Sequence, residues 1–544
     1  MTWITSAGSA AAVVARDNDA GTPLGGLPGT FDSLWATAVR GHGAGTFLVF
    51  QDEDGTVTRW TYTEFDDVVA RTAAGLRRRG IVAGDGIHLC LRNCPAFVAL
   101  WLAAARVGAW IVPADPSASA RDLDQQIGRT SPKLGLHSST RRDAYLEGAA
   151  VHGLPTAELT ETARDVLDSA VGLVDDEVAT GEWTAPGPAD RLALMFTSGT
   201  TSQPKGVVLT QANYFRVATA MAVAADLQAG DRWLVTLPLF HGNAQYYCFA
   251  SAIAVGAGVG LTATFSASGW VRDAIALGAT HASLFAAPMR MVLARTPADQ
   301  PPAQLRHVWF AQSLGAEHHA EFGRLAGCLP RQLYGMTETV PIVTYDRSTP
   351  PVSDLIGTPL EGRVARLVTP GTLDPVVPGE TGMIAVAGIR GDTLFEEYLD
   401  DPATTERTFR TDENGTVWML TGDLAAETPH GWRFVGRADD VIKVAGENVS
   451  LTEVEATVAQ APGVLEAAVL ARPDEIRDQV PVAYVVARDP QDPPSADELS
   501  AWAALNLTKA ARPHEWTVVP ELPRTSVGKI RRFKLADTEG AVTR

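Results

Sequence analysis

Residues Leu194–Val208 read Leu-Met-Phe-Thr-Ser-Gly-Thr-Thr-Ser-Gln-Pro-Lys-Gly-Val-Val, so hydroxyls, glycines and a lysine stand between two apolar runs. Runs of this kind read as buried strands, and the polar insert between them reads as a loop. Glycine lets backbone N–H groups approach a ligand closely, and hydroxyls and a lysine add donors for anionic oxygen. The chemistry this suits is holding a polyphosphate. A flexible Ser/Thr/Gly surface loop is the alternative that composition alone allows. The order is not that of the Gly-x-x-x-x-Gly-Lys-Ser/Thr nucleotide loop, because Lys205 follows Pro204 rather than preceding a helix hydroxyl.

Further segments carry chemistry of the same kind. Tyr334-Gly335-Met336-Thr337-Glu338-Thr339 places a hydroxyl and a carboxylate after a glycine turn. Thr337 can donate to a phosphate oxygen and Glu338 can hold Mg²⁺, a hard cation that prefers oxygen. The alternative is a helix start with Thr337 as its cap. Thr421-Gly422-Asp423 offers a carboxylate at a strand end, able to accept from ribose hydroxyls; a simple Asp turn is the alternative. Gly528-Lys529-Ile530 puts a cation on a glycine-containing loop. A fixed cation lowers the barrier when a carboxylate attacks phosphorus, because charge builds on the phosphoryl oxygens. His241 lies in Leu237-Pro238-Leu239-Phe240-His241-Gly242-Asn243-Ala244, where a lone histidine can equally be structural.

These segments need a framework. From Phe31 to about Pro350, helical stretches (Thr61–Arg79, Ala96–Val107) alternate with short apolar strands (Ile87–Leu91, Trp110–Pro113), which predicts parallel sheets covered by helices. Residues 355–435 are richer in Gly, Pro and Thr, with strands such as Met383–Val386 and Trp432–Val435, and predict a small antiparallel unit. After Arg437 the pattern predicts helix Leu451–Gln460, strands Val464–Ala471 and Pro481–Val486, and helix Ala496–Lys509, a compact α+β domain. Residues 1–30 read as a loose arm.

Composition narrows the function. A length of 544 residues allows two or more domains, and a net charge of −18 argues against nucleic acid or an anionic membrane as partner. Cys90 and Cys94 have no clustered histidines beside them and read as core thiols rather than a zinc site. Four cysteines in so long a chain fit a reducing cytoplasm. Residues 1–20 lack a basic start and a compact apolar core, so no secretory signal is expected. The stretch Leu234–Trp270 has no charged residue, but Pro238, His241, Asn243 and several glycines interrupt it. A buried helix followed by a buried strand is expected there, with no integral membrane segment.

Thr197-Ser198-Gly199-Thr200-Thr201 with Pro204-Lys205-Gly206 resembles the phosphate loop of the adenylate-forming family: acyl-CoA synthetases, peptide-synthetase adenylation domains and luciferases. The other segments fit the same family in the right order, from about Phe31 to Leu535, and resemble most its carnitine- and medium-chain-type acid–CoA ligases. The resemblance implies an α/β fold. Two doubly wound subdomains and a small β-barrel (about 355–436) make an adenylation domain over residues 1–438, followed by a mobile α+β domain over 439–544. It implies a carboxylic acid, ATP, Mg²⁺ and coenzyme A as substrates and cofactors, with a homodimer and a carrier-protein acceptor left open. Thr197, Ser198, Gly199, Thr200, Thr201 and Lys205 are then expected to hold the β,γ-phosphates. Tyr334, with Gly335 and Met336 beside it, is expected at adenine, Asp423 at ribose, and Arg437 at ribose or phosphate. Thr337 and Glu338 belong at the α-phosphate, with Glu338 and Thr201 on the metal. The same resemblance puts His241 at the acyl gate and Lys529 at the reacting carboxylate. It makes Asp439, in Gly436-Arg437-Ala438-Asp439-Asp440, the domain hinge, and sets Gly446 at the pantetheine channel. Two departures stand out: Ser202 replaces a glycine of the loop, and Ala311-Gln312-Ser313-Leu314-Gly315-Ala316 lacks the usual adenine-contacting Gly-Gly-Ala-Pro. Amino-acid-activating relatives carry an Asp near His241; this segment has none, which speaks against an amino acid substrate.

Overall fold

The computed structural model describes residues 24–168, 184–197, 204–474, 476–524, 530, 532 and 535. Two α/β sheets come first. One has six strands in the order Thr156–Leu159, Leu134–Ser138, Gly86–Cys90, Trp110–Pro113, Arg191–Thr197 and Lys205–Thr210. Its last strand runs antiparallel to Arg191–Thr197, with Thr197 opposite Lys205. The other has nine strands, and its parallel centre runs from Thr46–Gln51 through Gly258–Thr262, Arg232–Val235, His281–Phe285 and His307–Ala311 to Arg331–Tyr334. Strands such as Gly86–Cys90 and His281–Phe285 are buried along their whole length, as strands of helix-covered parallel sheets are.

Local signals set the helices. Thr61 and Glu64 form a reciprocal capping box at the start of Tyr62–Arg78, satisfying two backbone donors. Helix Pro95–Val107 begins on proline, ends on left-handed Gly108, and buries every residue except Arg106. A helix apolar on all sides belongs inside a core, and this one contributes to a single cluster that includes Phe47 of the nine-stranded sheet and Ile87 and Met195 of the six-stranded sheet. In the uncharged stretch, π-helical Asn243–Ala250 continues as Ser251–Val255 and leads to strand Gly258–Thr262, the helix-then-strand order expected from sequence. Among the described residues, no helix is long and apolar enough to cross a membrane.

Two antiparallel assemblies follow. Ala365–Val368, Thr381–Ala387, Val417–Thr428, Phe409–Thr411 and Gly431–Arg437 form one sheet. Glu447–Ser450, Val441–Val444, Asp478–Ala487 and Val464–Asp474 form the other, to which Trp516–Val518 adds in parallel. The latter strands run longer than the sequence suggests, because Arg472, Pro473 and Asp474 continue the ladder opposite Val480, Gln479 and Asp478. Helix Ala496–Asn506 stops short of Lys509, since Leu507 turns extended after its N–H caps Ala503. This last unit has its own core around Val454, Val458, Val469 and Val485.

Candidate active site

Strand Arg331–Tyr334 delivers Tyr334 to a buried position where its hydroxyl donates to Asp423 Oδ2 at 2.7 Å. The Tyr334 ring stacks on Phe434, 5.9 Å between centroids. Asp423 sits in the middle of Val417–Thr428, not at a strand end as the sequence reading had it. The strand is irregular there: Met383 faces Leu424 while Ala385 faces Leu420, and Gly422 adopts φ +77°. Such a bulge re-aims side chains. It needs glycine at the left-handed residue. Asp423 is thereby turned toward Tyr334. Burial pushes its carboxyl up to about 6, against the opposing pull of Arg437, 3.6 Å away, and of the Tyr334 hydroxyl. The Tyr334 hydroxyl is itself held well above its ordinary value by burial and by Asp423.

Beyond Tyr334 and Gly335 the chain makes a 3₁₀ turn, Thr337–Thr339, whose N-cap is Met336 rather than Thr337. Glu338 is 5% exposed. Its Oε1 accepts from the Tyr398 hydroxyl at 2.9 Å, and its carbonyl accepts from Phe395 N–H at 2.9 Å. Tyr398 and Phe395 belong to an irregular segment that pairs with the strand leaving the phosphate loop. Val208 N–H donates to Glu397 O, Leu399 N–H donates to Gly206 O, and Lys205 Nζ lies 5.0 Å above the Tyr398 ring. Helix Gln211–Ala224 anchors the same segment: Asn213 Nδ2 donates to Asp392 O and Leu394 O, and Arg216 pairs with Asp392 at 2.6 Å, both side chains buried. Lys205 and Glu338 are therefore brought to one tyrosine, the first over its ring and the second at its hydroxyl. Among the described residues no three His, Cys, Asp or Glu side chains gather into a metal cage. One buried carboxylate suits Mg²⁺, which keeps few protein ligands and travels on nucleotide phosphates.

Arg437 spans Asp423 and Asp439, donating from Nε to Asp439 Oδ1 at 3.1 Å. Asp439 occupies a 3₁₀ turn between strands Gly431–Arg437 and Val441–Val444. Ala445 and Gly446, at φ +51° and +89°, close the hairpin in which Val444 faces Glu447. Two positive φ values are the mark of a tight hairpin turn. His241, partly exposed, meets Phe285 edge-to-face at 5.6 Å, and its Nδ1 accepts from Asn243 N–H at 3.4 Å. Asn243 Nδ2 donates to Ser283 Oγ at 2.9 Å, while Asn243 Oδ1 and the Tyr246 hydroxyl are buried with no partner among the described residues. Of the apolar side chains in and near this segment, Tyr246 and Met289 are fully buried, Tyr247 and Phe285 nearly so, and Phe240 is partly exposed. Ser198, Gly199, Thr200, Thr201, Ser202 and Lys529 lie outside the described residues. Tyr398, Phe395 and Phe434 escaped the sequence reading, since none sits in a segment with a chemical spacing of its own.

The chain matches the model of the AMP-binding enzyme family over residues 35–399 and that of the AMP-binding enzyme C-terminal domain over residues 453–529. A crotonobetaine/carnitine–CoA ligase of Escherichia coli is 29% identical over 514 residues, covering 92% of this chain and 98% of the relative. The crystal structure of an anthranilate CoA ligase in complex with anthranoyl-AMP superposes with a TM-score of 0.83 at 22% identity, over 95% of this chain and 98% of the other. An O-succinylbenzoate coenzyme A synthetase of Bacillus subtilis, in complex with AMP, gives 0.77 at 25% identity, over 94% and 98%. Motifs met at distant points of the sequence thus come together on a fold shared with these ligases, and the chain belongs to the AMP-binding enzyme family.

Proposed function

We propose that this protein is an AMP-forming acid–CoA ligase. A carboxylate oxygen of the acid attacks the α-phosphorus of Mg·ATP, the bond to the bridging oxygen breaks, and diphosphate leaves with that electron pair. The coenzyme A thiol, on losing its proton, then attacks the acyl carbonyl and AMP departs. The observation that carries this reading is the pair of buried hydrogen bonds, Tyr334 to Asp423 and Tyr398 to Glu338, which tie together residues remote in sequence. In it, Asp423 and Arg437 take the ribose, Tyr334 borders the adenine, and Thr337 and Glu338 face the α-phosphate. Glu338 and Thr201 would hold magnesium, which would supply charge neutralisation of the phosphates. Thr197, Ser198, Gly199, Thr200, Thr201 and Lys205 hold the outer phosphates, and Lys529 serves adenylation. His241 borders the acyl group, whose neutral surroundings (Phe285, Asn243, Ser283) suit an acid without an ammonium. The hinge at Asp439 then lets residues 439–544 exchange Lys529 for Gly446. All four thiols are free, in keeping with a cytoplasmic site.

The test is acid-dependent exchange of labelled diphosphate into ATP across short, long, aromatic and polycyclic acids, followed by AMP release with coenzyme A and with a carrier protein. Exchange with some acid and AMP release with coenzyme A are expected; no exchange with any acid refutes the reading, and AMP release with a carrier protein alone refutes coenzyme A as acceptor. Lys529→Ala should abolish exchange yet leave thioester formation from supplied acyl-adenylate, and equal loss of both contradicts divided roles. Asp439→Pro should uncouple the two half-reactions, and normal turnover contradicts a moving domain.

A further inference from the structure

Arg363 is 5% exposed and lies between Thr358–Pro359 and Ala365–Val368. Its Nη2 donates to Thr339 O at 2.5 Å and its Nη1 to Thr393 O at 2.7 Å, while Nε has no acceptor among the described residues. Both carbonyls belong to the walls around Glu338. Thr339 ends the Thr337–Thr339 turn, and Thr393 opens the stretch in which Phe395 and Tyr398 hold Glu338. The turn needs holding. The next residue, Val340, is fully buried at φ +65°, ψ −88°, a conformation that costs a β-branched side chain dearly.

The charge is harder to account for than the hydrogen bonds. Two carbonyls can be met by a neutral amide. Arg363 instead brings a guanidinium with no carboxylate within ion-pair distance among the described residues, and a buried cation without a countercharge is unfavourable. Burial pulls it down to about 9, which leaves it cationic at neutral pH. In a protein of net charge −18, such a cation is best balanced by an anion that comes and goes. Resting on the adenylation reading, we propose that Arg363 is a positioning residue: it fixes the Thr337–Val340 turn from beneath, and its unbalanced charge raises affinity for the polyphosphate of the nucleotide.

The two contributions separate in two variants. Arg363→Gln keeps amide donors for the carbonyls but no charge; Arg363→Lys keeps the charge. Calorimetry with Mg·ATP and with adenosine, which is uncharged, reads them directly. Arg363→Gln should bind ATP about tenfold more weakly or worse, with adenosine changed less than about twofold. Arg363→Lys should bind ATP within about threefold of the parent protein. In exchange kinetics the Gln variant should raise the KM for ATP more than it lowers kcat. ATP affinity unchanged in the Gln variant, or ATP and adenosine lost in equal proportion, overturns the proposal. So does a folded Lys variant that loses ATP while retaining adenosine, which keeps the test alive should the Gln variant fail to fold. An unmodified protein that binds neither ligand defeats the adenylation reading itself, an outcome distinct from all of these.

Discussion

Asp423→Asn should make the ligand-free protein more stable and the nucleotide bind worse. The carboxyl is raised from its ordinary 3.8 to about 6, chiefly by burial. At 1.36 kcal/mol per unit, the charged form is disfavoured in the folded state by about 3 kcal/mol. In the unfolded chain the group ionises near pH 4, whereas in the folded protein it ionises near 6, so folding takes up a proton between those values. The penalty is therefore absent below pH 4, grows through the interval, and is complete above pH 6. Asparagine is neutral throughout and its amide oxygen still accepts from Tyr334. The lost pairing to Arg437 subtracts little, because that side chain is 41% exposed. Urea unfolding should show the variant ahead by up to about 3 kcal/mol at pH 7.5 and level with the parent near pH 4. In the same samples AMP affinity should fall about tenfold to a hundredfold, the value of a hydrogen bond to a charged acceptor. A stability difference that is the same at both pH values refutes the argument from burial, and undiminished AMP binding refutes the ribose contact.

Other outcomes are equally open to measurement. Tyr398→Phe removes the donor at Glu338 Oε1 and should raise the Mg²⁺ concentration for half-maximal diphosphate exchange by about tenfold, leaving thioester formation from supplied acyl-adenylate alone; an unchanged metal titration contradicts the role given to that hydrogen bond. Asp392→Ala strands the buried Arg216 guanidinium and should cost about 3–5 kcal/mol by denaturant unfolding, most of it regained on adding Arg216→Met; a small loss in the single variant denies the pair its importance. Gly357→Ala places a methyl 1.8 Å from Tyr345 O at φ +79° and should yield little soluble protein, whereas Gly371→Ala, also at positive φ but in open space, should fold with a loss of about 1 kcal/mol read from thermal unfolding. His241→Ala should alter the order of preferred acids in the exchange assay more than it alters the KM for ATP; an unchanged acid profile removes it from the acyl site.

The sequence made some of this legible for definite physical reasons. Helix and strand alternation carried the two α/β sheets because strands buried on both faces are predominantly apolar, as Trp110–Pro113 is. Asp423 was found by its neighbours Thr421 and Gly422, but its place within a strand was not, since a bulge depends on how Thr381–Ala387 pairs across from it. Arg437 and Asp439 were named separately; that one bridges to the other and to Asp423 is a matter of three-dimensional approach. Tyr398 and Arg363 were invisible for a related cause. Tyr398 reaches the Glu338 carboxylate from a segment bridged to Val207, and Arg363 acts through the carbonyls of Thr339 and Thr393; no local spacing announces such partnerships.

Helix Pro95–Val107 has a consequence for how the protein can be taken apart. Trp101, on that helix, touches Phe31, Tyr214 and Phe249, so removing its indole disturbs partners drawn from well-separated stretches of the chain at once. An exchange point between relatives chosen within the first two sheets would cut through common property. One chosen just after Arg437 leaves the clusters around Trp101 and around Val454 whole and parts only Ala438 and Val441 from the Val368–Trp418 cluster, and there homologous segments should be most readily traded.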